Sequence, residues 1–383
     1  MTTGIEIKPD VLRWAINASN KNVSDVRKKF KNIDASLSGA TKFTMPQIDK
    51  LSKELSVPFG YLILNEPPEE DIELMKYRTI NNIEHSKPSR YLIDTIKSME
   101  KKQQFMRETL IDDGFSPLNF VGSVTSESPI IETASFIKKV LELPEDWNFR
   151  NKDTFKTLKN VISASGILVM QNGIVNNNTT RKLNLEEFRA FVLIDEYVPL
   201  IFLNATDSKK GMLFSLCHEL VHIWLGRSEL YNMTDYRNSE VDNEERYCNE
   251  VAAELLIPYK TLKYRLETNT EDLKTFIYQQ ASDYSISELV ILIRLKNNRL
   301  IGHREFNRLY DYFNGKINES IKNKTKNVKA NYFTVKKSRI DKRFLKTVDN
   351  KAVEGKILYS EAYDLVGASG DTYRKLIESM RDK

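Results

Sequence analysis

Between Pro9 and Leu62 the apolar residues fall at helical spacing in short groups, each opened by a residue that starts helices. Pro9 opens the first, with Val11, Leu12, Ala15 and Ile16 inward; Asn22-x-x-Asp25 caps a second carrying Val23, Val26 and Phe30. Thr44-Met45-Pro46-Gln47 reads as a capping box for a helix with Ile48, Leu51 and Leu55 on one face. A polar piece from Lys31 to Ser38, ended by Gly39, lies between them, so the stretch predicts the layout of a helix-turn-helix bundle. The run Pro67-Pro68-Glu69-Glu70-Asp71 breaks the pattern, and a long helix follows from Ser89 to about Asp113, striped by Leu92, Ile96, Met99, Met106 and Leu110. Two further helices are predicted over Thr133 to Leu143 and Asp153 to Ser165. Ile167 to Met170, Phe188 to Ile194 and Leu200 to Leu203 read as strands, the last two joined as a hairpin across Asp195 to Pro199.

The helical period then returns in Leu213 to Gly226, apolar at Phe214, Cys217, Leu220, Val221 and Trp224 and closed by Gly226. A second amphipathic stretch, Glu244 to Pro258, turns Cys248, Val251, Ala252, Leu255 and Leu256 inward. Leu273 to Gln280 and a helix begun at Ser285-Ile286-Ser287 follow, and Tyr359 to Met380 has a helix, Gly367, helix form. The whole predicts an α+β, mostly helical chain: a helix-turn-helix bundle over 1–66, a helical connector over 67–130 and a zincin-like core with a small antiparallel sheet over 131–262. A helical, helix-turn-helix-like region over 263–316 and a basic linker with a small helical C-terminal region over 317–383 complete it.

The first of the paired helices carries the chemistry. His218-Glu219-x-x-His222 sets two imidazoles one turn apart on one helix face, where they can take a single metal ion. Glu219, rotated about 100° around the axis, sits beside that metal and suits a general base for the water it activates. The chain has four histidines, His85, His218, His222 and His303, and half of them lie in this one turn. Extending the apolar stripe of the second helix back one turn reaches Glu244 and Glu245, either of which suits a third ligand. Asp242-x-x-Glu245 also reads as a helix cap that needs no metal. Asn249, one turn after Glu245, is placed to hydrogen-bond that carboxylate as an outer partner. The donor to the oxyanion is not legible; Tyr247 is one candidate.

At 383 residues and 40% hydrophobic the chain can bury a sizeable core, and its longest apolar runs are far too short to span a bilayer. MTTGIEIKPD has no signal-like stretch, and Cys217 and Cys248, the only cysteines, exclude a disulfide framework and read as small buried apolar residues; the expected location is the cytoplasm. The net charge of +5 is too small to imply nucleic acid by itself. Ten Lys or Arg against one acid between Lys322 and Lys346 read as a solvated connector, with DNA contact as a second reading. Residues 8–60 hold ten Lys or Arg against five acids, with Arg27, Lys28, Lys31 and Lys42 as candidate phosphate contacts. The segment around Asn32 to Leu37 has no Arg or Gln for base edges, which favours a protein partner or weak DNA contact there.

Phe188 to Asp195, Pro199 to Asn204, Phe214 to Gly226 and Asn249-x-x-Ala252-Ala253-x-Leu255-Leu256-Ile257-Pro258 together resemble the ImmA/IrrE family of zinc metallopeptidases. Pro9 to Ala15 and Val57 to Leu62 are similar to the version fused to an N-terminal Xre-type helix-turn-helix, although Asp34 to Gly39 departs from that pattern. The resemblance implies Zn2+ held by His218, His222 and Glu245, with Glu219 as base. It also implies an endopeptidase whose protein substrate is a helix-turn-helix repressor, cleavage releasing stress-response, mobile-element or defence genes. The alternative is a DNA-binding regulator, or a component of a toxin-antitoxin or phage-defence locus, that keeps the protease fold as sensor or scaffold. No membrane partner is expected.

Overall fold

Pro9 supplies a helix start that needs no amide donor, and α1 (Pro9–Ala18) begins there and buries Val11, Leu12, Ala15 and Ile16. The fold is a computed structural model that describes residues 4–19, 23–39, 42–68, 88–231, 243–322 and 332–381. α2 (Val23–Lys29), α3 (Ile33–Leu37) and α4 (Met45–Leu55) follow, then a 3-10 turn, Phe59–Ile63. The backbone amide of Thr44 donates to Gln47 Oε1 at 2.8 Å, the reciprocal bond expected of a capping box at the head of α4. Ile7, Leu12, Ile33, Ile48, Leu51, Leu55 and Leu62 make one core. Two strands, β1 (Ile5–Glu6) and β2 (Lys42–Phe43), pair antiparallel across it; at two residues each they are too short to show alternation in the sequence. Asn22, read as a cap, lies outside the described residues.

The chain divides into two compact units between Ser98 and Met99, inside the 23-residue helix α5 (Arg90–Asp112). In the second unit come α6 (Ile130–Val140), α7 (Thr154–Ala164), β3 (Leu168–Asn172), β4 (Ala190–Leu193) and β5 (Leu200–Asn204). Next are α8 (Lys209–Leu225), β6 (Glu229–Tyr231) and α9 (Asn243–Leu256). α10 (Tyr259–Glu267), α11 (Leu273–Asp283), α12 (Glu288–Asn297), α13 (His303–Lys322), α14 (Tyr332–Arg339), α15 (Lys342–Val353), α16 (Tyr359–Val366) and α17 (Gly370–Arg381) complete it. No helix among the described residues is long and apolar enough to cross a membrane.

The sheet runs β3-β5-β4-β6. β4 and β5 form the expected antiparallel hairpin, but β3 lies parallel to β5, Leu168 facing Leu200, so the sheet is mixed and not purely antiparallel. The connection over residues 173–189 is long enough to pass β5 and bring the chain back on its far side, a crossover that strand periodicity does not encode. Every residue of β4 and β5 is buried. Ala190, Val192, Ile201 and Leu203 join the core that includes α8, while Phe191 and Phe202 stack at 5.0 Å between centroids.

Residues 332–346, the described part of the basic run, are folded helix and turn instead of open connector. Lys336 is buried, Lys337 donates to the Ser379 carbonyl at 2.8 Å, and Arg343 donates to the Gly166 carbonyl. Asp341 caps α15 through the amides of Arg343 and Phe344, and it also accepts from Ser163 Oγ at 2.9 Å and from the Val169 amide of β3 at 3.1 Å. Charge counting could not find these contacts, because aliphatic stems and single hydrogen bonds, not net charge, decide where basic side chains settle.

Candidate metal centre

Ser208 caps α8 by accepting the Gly211 amide at 3.0 Å. From Met212 to Trp224 nearly every residue of this helix is buried, which follows from its lack of a polar face. Its C-terminus is closed by Gly226 at φ +73: the Arg227 amide donates to the His222 carbonyl at 3.2 Å and the Gly226 amide to that of Ile223 at 3.1 Å. This is the paired Schellman arrangement, and it fixes the turn that carries His222. A strap from residues 118–124 covers that end. Gly122 and Val124 donate to the carbonyls of Ile223 and Trp224, each at 3.0 Å, and Phe120 stacks on Trp224 at 4.5 Å. The strap has no apolar period, so nothing in the residue pattern announces it.

α9 packs along α8 and brings its first turn against the two imidazoles. Glu245 Oε2 lies 3.2 Å from His218 Nε2, Glu245 Oε1 lies 3.2 Å from His222 Nε2, and the two Nε2 atoms are 3.2 Å apart. Of the two acids left open by spacing, Glu245 is therefore the one that reaches the imidazoles. Glu244 pairs with Arg227 instead. Asp242, the other half of the metal-free cap reading of Glu245, lies outside the described residues. Both histidines and Glu219 are fully buried, and Glu245 nearly so. Burial works against the Glu245 charge, but the imidazoles of His218 and His222 outweigh it and hold the carboxyl well below the usual range.

Asn249 meets an imidazole and not the carboxylate expected of it: its Oδ1 lies 3.1 Å from His218 Nδ1. An amide oxygen accepts, so this contact keeps a proton on His218 Nδ1, and with a cation in the triangle Nε2 would turn its lone pair to it. The two Nε2 atoms thus lie 3.2 Å apart, each 3.2 Å from one oxygen of the same carboxylate. A cation bonded tetrahedrally to such atoms at about 2.0–2.1 Å would set them about 3.3 Å apart, so the residues fit a small divalent ion. His218, His222 and Glu245 are a buried group that could hold one.

Tyr247 turns away from this group, and its hydroxyl pairs with Thr133 Oγ1 at 2.7 Å in a buried contact. Two residues from Glu245 is more than half a helical turn, which explains the opposite facing. Cys217 is buried and its thiol pushed up by that burial. Cys248 is more than a small apolar residue, since its Sγ lies 3.8 Å from His222 Nδ1. Its position three after Glu245 was the available signal. His303 stands exposed at the head of α13, and His85 lies outside the described residues. Of the candidate phosphate contacts, Arg27 pairs with Asp34 and Lys28 with Asp25, while Lys31 and Lys42 are exposed. Arg27 holds the Asp34 carboxyl below its ordinary range through their hydrogen bonds.

Two imidazoles a turn apart, a carboxylate from the next helix and a buried glutamate beside the first imidazole define a class: this is a candidate metallopeptidase centre. Comparison with known families agrees. Residues 163–296, which include the whole group, match the family model of a peptidase, the IrrE N-terminal-like domain, and so support a metallopeptidase of the IrrE/ImmA type. Residues 340–379 match a domain of unknown function. No curated protein matches the chain.

Proposed function

We propose that this chain is a zinc-dependent endopeptidase that cleaves a protein substrate of the helix-turn-helix repressor kind. The observation that carries the reading is the triangle of His218 Nε2, His222 Nε2 and Glu245 carboxylate at 3.2 Å spacing, buried and drawn from two helices. Zn2+ held there would supply Lewis acidity toward a peptide carbonyl and ease deprotonation of water. Glu219, on the same helix as both imidazoles and buried beside them, takes the proton of the attacking water and returns it to the leaving amine. Exclusion of bulk water around these groups strengthens each electrostatic interaction among them. The family match over 163–296 supports the peptidase class, and the choice of a repressor as substrate rests on the resemblance of the motifs.

The test pairs metal content with cleavage. Glu219→Gln is expected to keep stoichiometric zinc and lose cleavage of a co-incubated repressor by about 100-fold or more, the order of a lost general base, about 10²–10⁴-fold. Full proteolysis by that variant would overturn the role of Glu219, and a wild-type chain that takes up no zinc would overturn the metal reading itself.

A further inference from the structure

Each imidazole has an outer ring nitrogen turned away from the donor triangle, and both meet α9. His218 Nδ1 faces Asn249 Oδ1 at 3.1 Å; His222 Nδ1 faces Cys248 Sγ at 3.8 Å. The two partners are consecutive, three and four residues after Glu245, the spacings that share a helix face with it. One helix therefore supplies the carboxylate and the support for both rings. Cys248 is fully buried, and its sulfur is a hydrogen-bonding neighbour of that nitrogen.

We infer that Cys248 is a positioning residue, whose sulfur accepts the Nδ1–H of His222 and so leaves the Nε2 lone pair available to a cation shared with Glu245. The inference rests on the metal reading of the triangle. A neutral imidazole has one N–H, and a proton kept at Nδ1 leaves Nε2 free to ligate. Were the thiol instead the donor, Nδ1 would be the bare nitrogen, and Nε2, 3.2 Å from Glu245 Oε1, would carry the proton and be closed to a cation. Sulfur is a weaker acceptor than an amide oxygen, so the two rings are unequally held, and His222 is the one more easily turned.

With only four histidines in the chain, selective ¹⁵N-histidine labelling of the full-length protein gives a readable spectrum of tautomers. In metal-free wild type, His222 is expected to keep a proton on Nδ1. Cys248→Ala should give His222 mixed tautomers with His218 unchanged, and Zn2+ titration should show affinity lowered about tenfold, the size of effect seen when outer partners of ligating histidines are removed. Cys248→Ser should restore the tautomer and most of the affinity. The inference is overturned if Cys248→Ala keeps the wild-type tautomer and affinity, or if Cys248→Ser is as weak as Cys248→Ala, which would make the site a packing contact only. A wild type with His222 held as Nδ1–H but no zinc uptake would strike the metal reading and leave the hydrogen bond standing.

Discussion

Replacing Gly226 by alanine tests how firmly the end of α8 is built. Gly226 sits at φ +73, and a Cβ there would meet the Gly122 Cα at 2.9 Å. The neighbour is backbone, and Gly122 itself donates its amide to the Ile223 carbonyl at 3.0 Å, so it cannot withdraw without breaking a bond that closes the helix. The left-handed conformation costs an alanine about 1–2 kcal/mol, and a forced contact in a packed region adds about 1–3 kcal/mol. Gly355 provides the control, since it has the same φ of +73 and a Cβ there would meet nothing within 4 Å. Gly226→Ala should thus lose about 2–5 kcal/mol and Gly355→Ala about 1–2 kcal/mol. Denaturant unfolding followed by tryptophan fluorescence measures both, and Trp224, stacked on Phe120, reports on the affected end. Because the same cap binds the His222 carbonyl, Gly226→Ala should also weaken Zn2+ uptake while Gly355→Ala leaves it unchanged. Equal losses for the two variants would refute the close approach as the reason for glycine at 226.

Arg294 is buried against Glu254 and donates to the Ile257 carbonyl at 2.7 Å, so Arg294→Ala should cost about 3–5 kcal/mol by stranding the acid. Replacing both by Met should cost much less, and unfolding of the single and double variants compares them. Asp341→Ala removes the acceptor for the Val169 amide and for Ser163, with an expected loss of about 2–3 kcal/mol and faster hydrogen exchange at Val169 than in wild type. Asp272 caps α11, and bonds from the Thr275 hydroxyl and the amides of Thr275 and Lys274 hold its carboxyl below 3.8. A depressed folded pKa means that this cap is fully stabilising above about pH 4 and weakens as pH falls through the depressed value. The protection factor of the Thr275 amide, its exchange relative to the unstructured rate at the same pH, should therefore fall on acidification in wild type and stay flat in Asp272→Asn.

The two helices of the candidate metal centre were legible because their apolar stripes and the imidazole spacing obey one period, about 3.6 residues. The choice between Glu244 and Glu245 was not, because adjacent residues differ by a rotation whose outcome depends on where α8 lies, and Arg227 claims the wrong one. Asn249 was placed on the right face but against the wrong partner for the same reason. The parallel pairing of β3, the strap at 118–124 and the buried Asp341 rest on contacts between segments far apart in the chain, and local patterning is silent about those. The N-terminal bundle could be read helix by helix, while its two-residue strands were below the length at which alternation registers.

Asp341 occupies an amide of β3 on the margin of the sheet away from β5. An extended polypeptide seeking to lengthen this sheet by main-chain pairing finds that flank already taken by the chain's own C-terminal helices. Among the described residues the opposite flank is β6, which begins three positions beyond the glycine that ends the helix carrying His218 and His222. Any strand added to this sheet by main-chain pairing would, among the described residues, meet the side nearest in sequence to the imidazoles.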